Sequence, residues 1–219
     1  MRDELLLPAQ GTPILYSFRR CPYAMRARFA LAVAGMRYEL REVKLREKPA
    51  PMLTASPKGT VPVFVVPEGE VIDESLEVMR WALSRCDPEG WLQRDDAALI
   101  AANDEHFKID LDAYKYPERH TGDPLEHRDR GLAFLRILEF RLSASDQLSG
   151  SARGVTDAAI MPFVRQFSAV DRDWFDSQQL PHLRAWLNNH LRSDLFKLIM
   201  LRTAPWAPGD PATYLGATN

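Results

Sequence analysis

Apolar positions in the first third of the chain fall into short runs broken by turn residues, the pattern of strands alternating with helices. Pro13-Ile14-Leu15-Tyr16-Ser17-Phe18 reads as a buried strand, and Pro22 to Ala34 as a helix closed by Gly35. Tyr38 to Leu45 predicts a second strand, and Pro51-Met52-Leu53 only a short helical turn before the breaker Ser56-Pro57-Lys58-Gly59. Val61 to Val66 predicts a third strand, after which Pro67-Glu68-Gly69-Glu70 turns Val71-Ile72 back antiparallel. A helix follows from about Ser75, with Leu76, Met79, Leu83 and Cys86 on one apolar stripe, which places Cys86 in the core.

Beyond Asp87-Pro88-Glu89-Gly90, a linker by composition, the pattern is helical throughout. Ala97 to Tyr114 reads as one long helix. Asp123-Pro124-Leu125-Glu126 offers a cap, a first-turn proline and a capping-box glutamate ahead of the stripe Leu135, Leu138 and Leu142. Gly154-Val155-Thr156-Asp157 opens a further helix through Val170, Leu183, Trp186, Leu187 and Leu191 mark another, and Ser193-Asp194 precedes a last short one. Pro205, Pro208 and Pro211 predict an extended strip lying over the surface. The order β-α-β, short helix, β-β-α is that of a thioredoxin-like α/β domain, expected over residues 12–86, with an all-α domain over 94–212.

Composition narrows the function. With 219 residues, 46% of them hydrophobic and 26% charged, the chain reads as globular, and a net charge of -2 provides no global attraction to nucleic acid or anionic membrane. The apolar run in Met1–Pro8 is too short for a signal segment and no later run reaches spanning length, so a cytoplasmic protein is expected. Cys21 and Cys86 are too few for a disulfide framework and too far apart for a zinc pair. His106, His120, His127, His182 and His190 show no ligand spacing, so no metal is expected, and phosphate-loop, Gly-x-Gly-x-x-Gly and Gly-x-Ser-x-Gly patterns are absent.

Chemistry concentrates in Ser17-Phe18-Arg19-Arg20-Cys21-Pro22-Tyr23-Ala24, which sets a cysteine where a strand runs into a helix with proline at its first position. Unpaired amides and the positive helix end there favour thiolate, and such sites lower a thiol pKa from roughly 8.5 to about 3.5–7.5. Arg19, Arg20, Arg26, Arg28 and Arg37, with no acid between Ser17 and Tyr38, predict a positive local field, although Arg26 and Arg28 taken singly read as decoration of a solvated face. In Thr60-Val61-Pro62-Val63-Phe64 the proline belongs at an edge, a bulge or a cis bond, and a cis bond would turn the Val61 backbone toward a peptide-like ligand. Asp73-Glu74-Ser75 opens the next helix, with Ser75 as cap and carboxylate donor and Glu74 as acceptor for an ammonium group.

Cys21-Pro22-Tyr23-Ala24, Lys48-Pro49, Pro57-Lys58-Gly59-Thr60-Val61-Pro62-Val63 and Glu74-Ser75, in this order, resemble the cytosolic glutathione transferase superfamily over nearly the whole chain. The likeness is greatest to its cysteine-type members, the omega class and bacterial proteins with a Cys-Pro-Tyr-Ala site. The resemblance implies glutathione as cosubstrate, a homodimer, and a thiol transferase or reductase acting through a Cys21 glutathionyl mixed disulfide. By the same likeness Val61 pairs with the cysteinyl backbone of glutathione, Glu74 and Ser75 hold its γ-glutamyl head, Lys48 approaches its glycyl carboxylate with Arg46 and Lys58 also near, Pro62 is cis, and Tyr23 and Pro62 also belong to the glutathione-binding set. Ala24 stands where related glutaredoxins often carry a second cysteine, so a second glutathione must resolve the intermediate. Gly154 stands where the family usually has a serine or threonine cap, which predicts a modest stability cost. Two rival readings are a transferase conjugating glutathione to electrophiles with Tyr16 or Cys21 at the thiol, and a non-enzymatic glutathione or ligand-binding protein. Phe107 and Tyr114 are weak candidates to line the acceptor site of a small electrophile or disulfide.

Overall fold

The computed structural model describes residues 11–216; Met1–Pro8, read above for a signal segment, lies outside the described residues. β1 (Ile14–Ser17), α1 (Pro22–Val33), β2 (Tyr38–Glu42), α2 (Ala50–Ala55), β3 (Val63–Val65), β4 (Val71–Ile72) and α3 (Ser75–Arg85) follow the predicted order. β1 pairs parallel with β2 and antiparallel with β3, which pairs antiparallel with β4. Strands buried on both faces are continuous apolar runs rather than alternating ones, as in β1 and β3, where every residue is buried.

The chain divides into two units, but not at the predicted C-terminal boundary. One unit takes the residues up to Glu89 together with those from Asp194 onward, and the other spans Gly90–Ser193. The helical domain expected over 94–212 therefore stops at Ser193, because the segment after it packs against the sheet unit. In α10 (Asp194–Ile199), Phe196 packs 6.5 Å from Phe29 of α1, and the Ile199 carbonyl accepts from Arg28 at 2.9 Å. The Trp206 amide donates to the Glu42 carbonyl at 2.8 Å, and β5 (Tyr214–Leu215) joins β2 antiparallel, giving the strand order β4-β3-β1-β2-β5. The proline-rich strip is thus sheet-bound, and it ends in a strand that its composition did not announce.

Side-chain placement corrects two expectations in this unit. Cys86 is exposed, because α3 ends at Arg85 and Cys86 leaves it in extended conformation; the buried stripe is Ser75, Val78, Met79, Ala82 and Leu83. Arg26 and Arg28 are not on a solvated face but fully buried. Arg28 is ion-paired to Glu42 at 2.7 Å, which makes its charge tolerable in the interior.

The second unit holds α4 (Ala97–Ala102), a π-helical turn (Asn103–Phe107) and α5 (Lys108–Lys115) in one run, then α6 (Pro124–Leu142), α7 (Val155–Ser168), α8 (Arg172–Ser177) and α9 (Pro181–Arg192). Its core includes Phe107, stacked 4.8 Å from Phe134 and 5.3 Å from Phe167. The start of α7 is fixed by Asp157, which is buried and accepts from the Gly154 amide at 3.1 Å, the Leu148 amide at 2.9 Å and the Trp186 indole at 2.9 Å. Burial pushes its carboxyl up despite these donors. Gly154 is not the compromise its sequence position suggested. A Cβ there would lie 2.4 Å from the Arg94 Cβ and 2.7 Å from the Arg94 carbonyl oxygen, so hydrogen is the largest substituent that fits.

Candidate active site

Cys21 is the N-cap residue of α1, at φ -72 and ψ 124, with Pro22 in the first helical position and no acid in the first turn. Its amide donates to the Phe18 carbonyl at 2.9 Å, closing a turn with Arg19 and Arg20 at its corner. The thiol is half-buried, with Sγ 3.7 Å from the Val61 carbonyl oxygen. The Val61-Pro62 bond is cis. β1 ends at Ser17 and β3 begins at Val63, and antiparallel pairing of Tyr16 with Val63 sets the two loops side by side.

The remaining predicted residues of this unit lie on α1, on the loops either side of α2 and at the start of α3. Ser75 is buried at the first turn of α3 and its hydroxyl accepts from Arg26 Nη1 at 3.5 Å, which links α1 to α3. It is not the cap, as the sequence suggested. Glu74 holds that position, and its carboxylate is ion-paired to Lys58, whose ammonium it keeps protonated above the usual range. Asp73 accepts from the Ser56 hydroxyl at 2.6 Å. Lys48 is exposed, with its ammonium beside the Gly59 turn. Tyr23 is half-buried and stacks under Arg26, whose guanidinium carbon lies 5.3 Å from the ring centroid.

The three other candidates are buried. Tyr16 is fully buried, its hydroxyl accepts from Arg41 at 2.7 Å, and burial pushes its pKa up in spite of that cation. A phenol so placed is neither accessible to a thiol nor ready to ionise, so Tyr16 is core. Phe107 is 1% exposed inside the helical unit, which removes it as a lining residue. Tyr114 packs in the same unit against Phe167 at 5.3 Å and Trp174 at 6.4 Å. Among the described residues no cluster of His, Cys, Asp and Glu is able to hold a metal ion, and no helix is long and apolar enough to cross a membrane. Sequence reasoning missed Arg26 as the link between α1 and Ser75 of α3, and Lys58 as the partner of Glu74. Arg26 carried one signal, a cation five residues after Cys21 in a helix whose only other charged residue is Arg28.

A thiol at a strand-to-helix junction, facing a cis-proline loop, with a helical unit after it in the chain, is the arrangement of a thioredoxin-like domain joined to an all-helical one. The family model described as glutathione S-transferase, N-terminal domain, matches residues 15–90. Over 100 residues the chain is 34% identical to glutathione S-transferase omega-1 of Rattus norvegicus, covering 46% of this chain and 41% of that protein. The chain thus spans about two fifths of that relative's length. It is also 26% identical over 199 residues to pyrimidodiazepine synthase of Drosophila melanogaster, covering 85% of this chain and 79% of that one. A glutathione transferase family member from Pseudomonas fluorescens pf-5, solved with two glutathione bound, shares the fold with TM-score 0.76 at 16% identity, covering 88% of this chain and 95% of that one. Residues 15–90 thus match the glutathione S-transferase N-terminal domain, and the solved relative shares the fold beyond it.

Proposed function

We propose that the chain is a glutathione-dependent thiol transferase with Cys21 as nucleophile. The observation that carries this reading is the Cys21 sulfur, 3.7 Å from the backbone carbonyl that precedes the cis proline. A ligand with a peptide-like backbone that pairs with Val61 would bring its own sulfur to that atom. The Cys21 thiolate attacks the glutathionyl sulfur of a mixed disulfide; the disulfide bond breaks, and the acceptor leaves as a thiolate that takes a proton from water. A second glutathione thiolate then attacks the Cys21 disulfide, forming oxidised glutathione and releasing Cys21. Ala24 makes this external resolution necessary.

In this reading Glu74 and Ser75 receive the γ-glutamyl head, and the substrate ammonium takes the place that the Lys58 ammonium occupies at Glu74. Lys48 faces the glycyl carboxylate, and Tyr23 contributes to the glutathione site. Two free cysteines suit a reducing, cytoplasmic compartment, and a homodimer completes the proposal. The test is intact mass measurement after exposure to oxidised glutathione. One glutathionyl adduct is expected, lost in Cys21→Ser and kept in Cys86→Ser; an adduct that survives Cys21→Ser and disappears in Cys86→Ser overturns the reading.

A further inference from the structure

The turn that delivers Cys21 also forms one wall of a cavity of about 400 Å³, closed by the end of β2 and by the strip after α10. Its lining carries four cations, Arg19 and Arg20 from the turn, Lys44 from the β2 end and Arg202 from the strip. The one acid in the lining, Glu42, is already committed. One of its oxygens accepts from Arg28 at 2.7 Å and the other from the Arg19 amide at 2.7 Å. Lys44 has the exposed Glu47 at 3.3 Å, but among the described residues no carboxylate pairs with the guanidiniums of Arg19, Arg20 or Arg202. Thr203 of the same lining holds its hydroxyl sealed from solvent without a hydrogen-bond partner. Three guanidiniums without a carboxylate partner, one of them over the Phe18 ring at 5.5 Å, around a cavity of this size make a receptor for a small organic anion, since guanidinium groups are natural donors to a carboxylate or sulfonate.

We infer that this cavity binds an anionic group on the acceptor, so that the enzyme selects disulfides whose non-glutathione half carries a carboxylate or sulfonate. Cys21 does not line the cavity, but Arg19 and Arg20 do, and they belong to the turn that the Cys21 amide closes, so a ligand anchored there lies against the turn that carries the sulfur. The acceptor role rests on the thiol transfer proposed above, whereas the anion site does not.

The experiment has two arms. In the first, turnover is compared for mixed disulfides of glutathione with 3-mercaptopropionate, 2-mercaptoethanol and cysteamine, which present a negative, a neutral and a positive end. The expected kcat/KM order is negative over neutral over positive, with about tenfold between the first two, the factor that ~1.4 kcal/mol produces. In Arg19→Gln/Arg202→Gln the negative-to-neutral ratio falls toward one, and in the wild type it shrinks as salt is raised. In the second arm Cys21 is alkylated by iodoacetate or by iodoacetamide; its thiolate displaces iodide from either, and the exposed Cys86 serves as internal reference. The iodoacetate-to-iodoacetamide rate ratio is expected to be higher at Cys21 than at Cys86, and to drop in the double variant. Should no disulfide turn over while the alkylation ratio behaves as stated, the anion site stands and thiol transfer falls. Equal ratios at the two cysteines, or turnover without charge preference, overturn the anion site. So does a double variant that raises KM for glutathione and leaves the acceptor ratio intact, because the cations would then serve the tripeptide itself.

Discussion

Arg28 carries its charge into the interior of the sheet unit, where Glu42 and the Ile199 carbonyl receive it. Removing one partner of a buried pair strands the other, so Arg28→Ala is expected to lower stability by about 3–5 kcal/mol in urea unfolding. Tyr16→Phe deletes only one side of the hydrogen bond with Arg41; a loss of about 1–3 kcal/mol with thiol transfer retained is expected, and loss of turnover in a folded variant would return Tyr16 to the mechanism. Cys21 and the Val61-Pro62 bond were legible in the sequence, because helix-start chemistry and the geometry of proline are rules of the local chain. The burial of Arg26 and Arg28 was not, since their partners Ser75, Glu42 and Ile199 lie 49, 14 and 171 positions away.

Helices show the same division between local and distant causes. The start of α7 was readable from Gly154 and Asp157, but why glycine stands there was not, because the crowding atoms belong to Arg94. Local propensity ranks serine above glycine as a cap. The close approach reverses that order, so Gly154→Ser is expected to destabilise by about 1–3 kcal/mol, and a gain measured by thermal or urea unfolding would refute the packing argument. In α3 the stripe was read one turn too long; the periodicity continues to Cys86, whereas the helix hydrogen bonds end by handing the Cys86 amide to Ala82 at 3.3 Å. An exposed Cys86 then reacts with a thiol reagent at an unhindered rate in the native state, which alkylation followed by mass measurement checks.

At the scale of the whole molecule, His190 is one source of acid sensitivity. Burial, reinforced by the charge of Arg153, lowers the His190 pKa from 6.5 to about 4. Its Nε2 faces Gln147 Oε1 at 2.9 Å, an oxygen that also accepts from the Trp186 indole, so the neutral ring donates there. A depressed folded-state value contributes stability in full above pH 6.5 and loses it as pH falls through 4, because the unfolded chain takes up the proton first. The ring edge is partly open to solvent, so the change expected over that window is about 1–2 kcal/mol, flattened in His190→Gln, as urea unfolding across the pH range would reveal. Asp157 runs the other way; its raised pKa penalises the folded state as pH rises, so its effect partly offsets that of His190 on acidification. Strand β5 has a consequence in time. Because the edge of β2 is completed by Tyr214 and Leu215, a ribosome must deliver the whole helical unit before the first strands it made acquire their last neighbour. During that interval the open edge of the nascent chain is available to other polypeptides, so early termination after α10 should favour aggregation over dissociated, soluble chains.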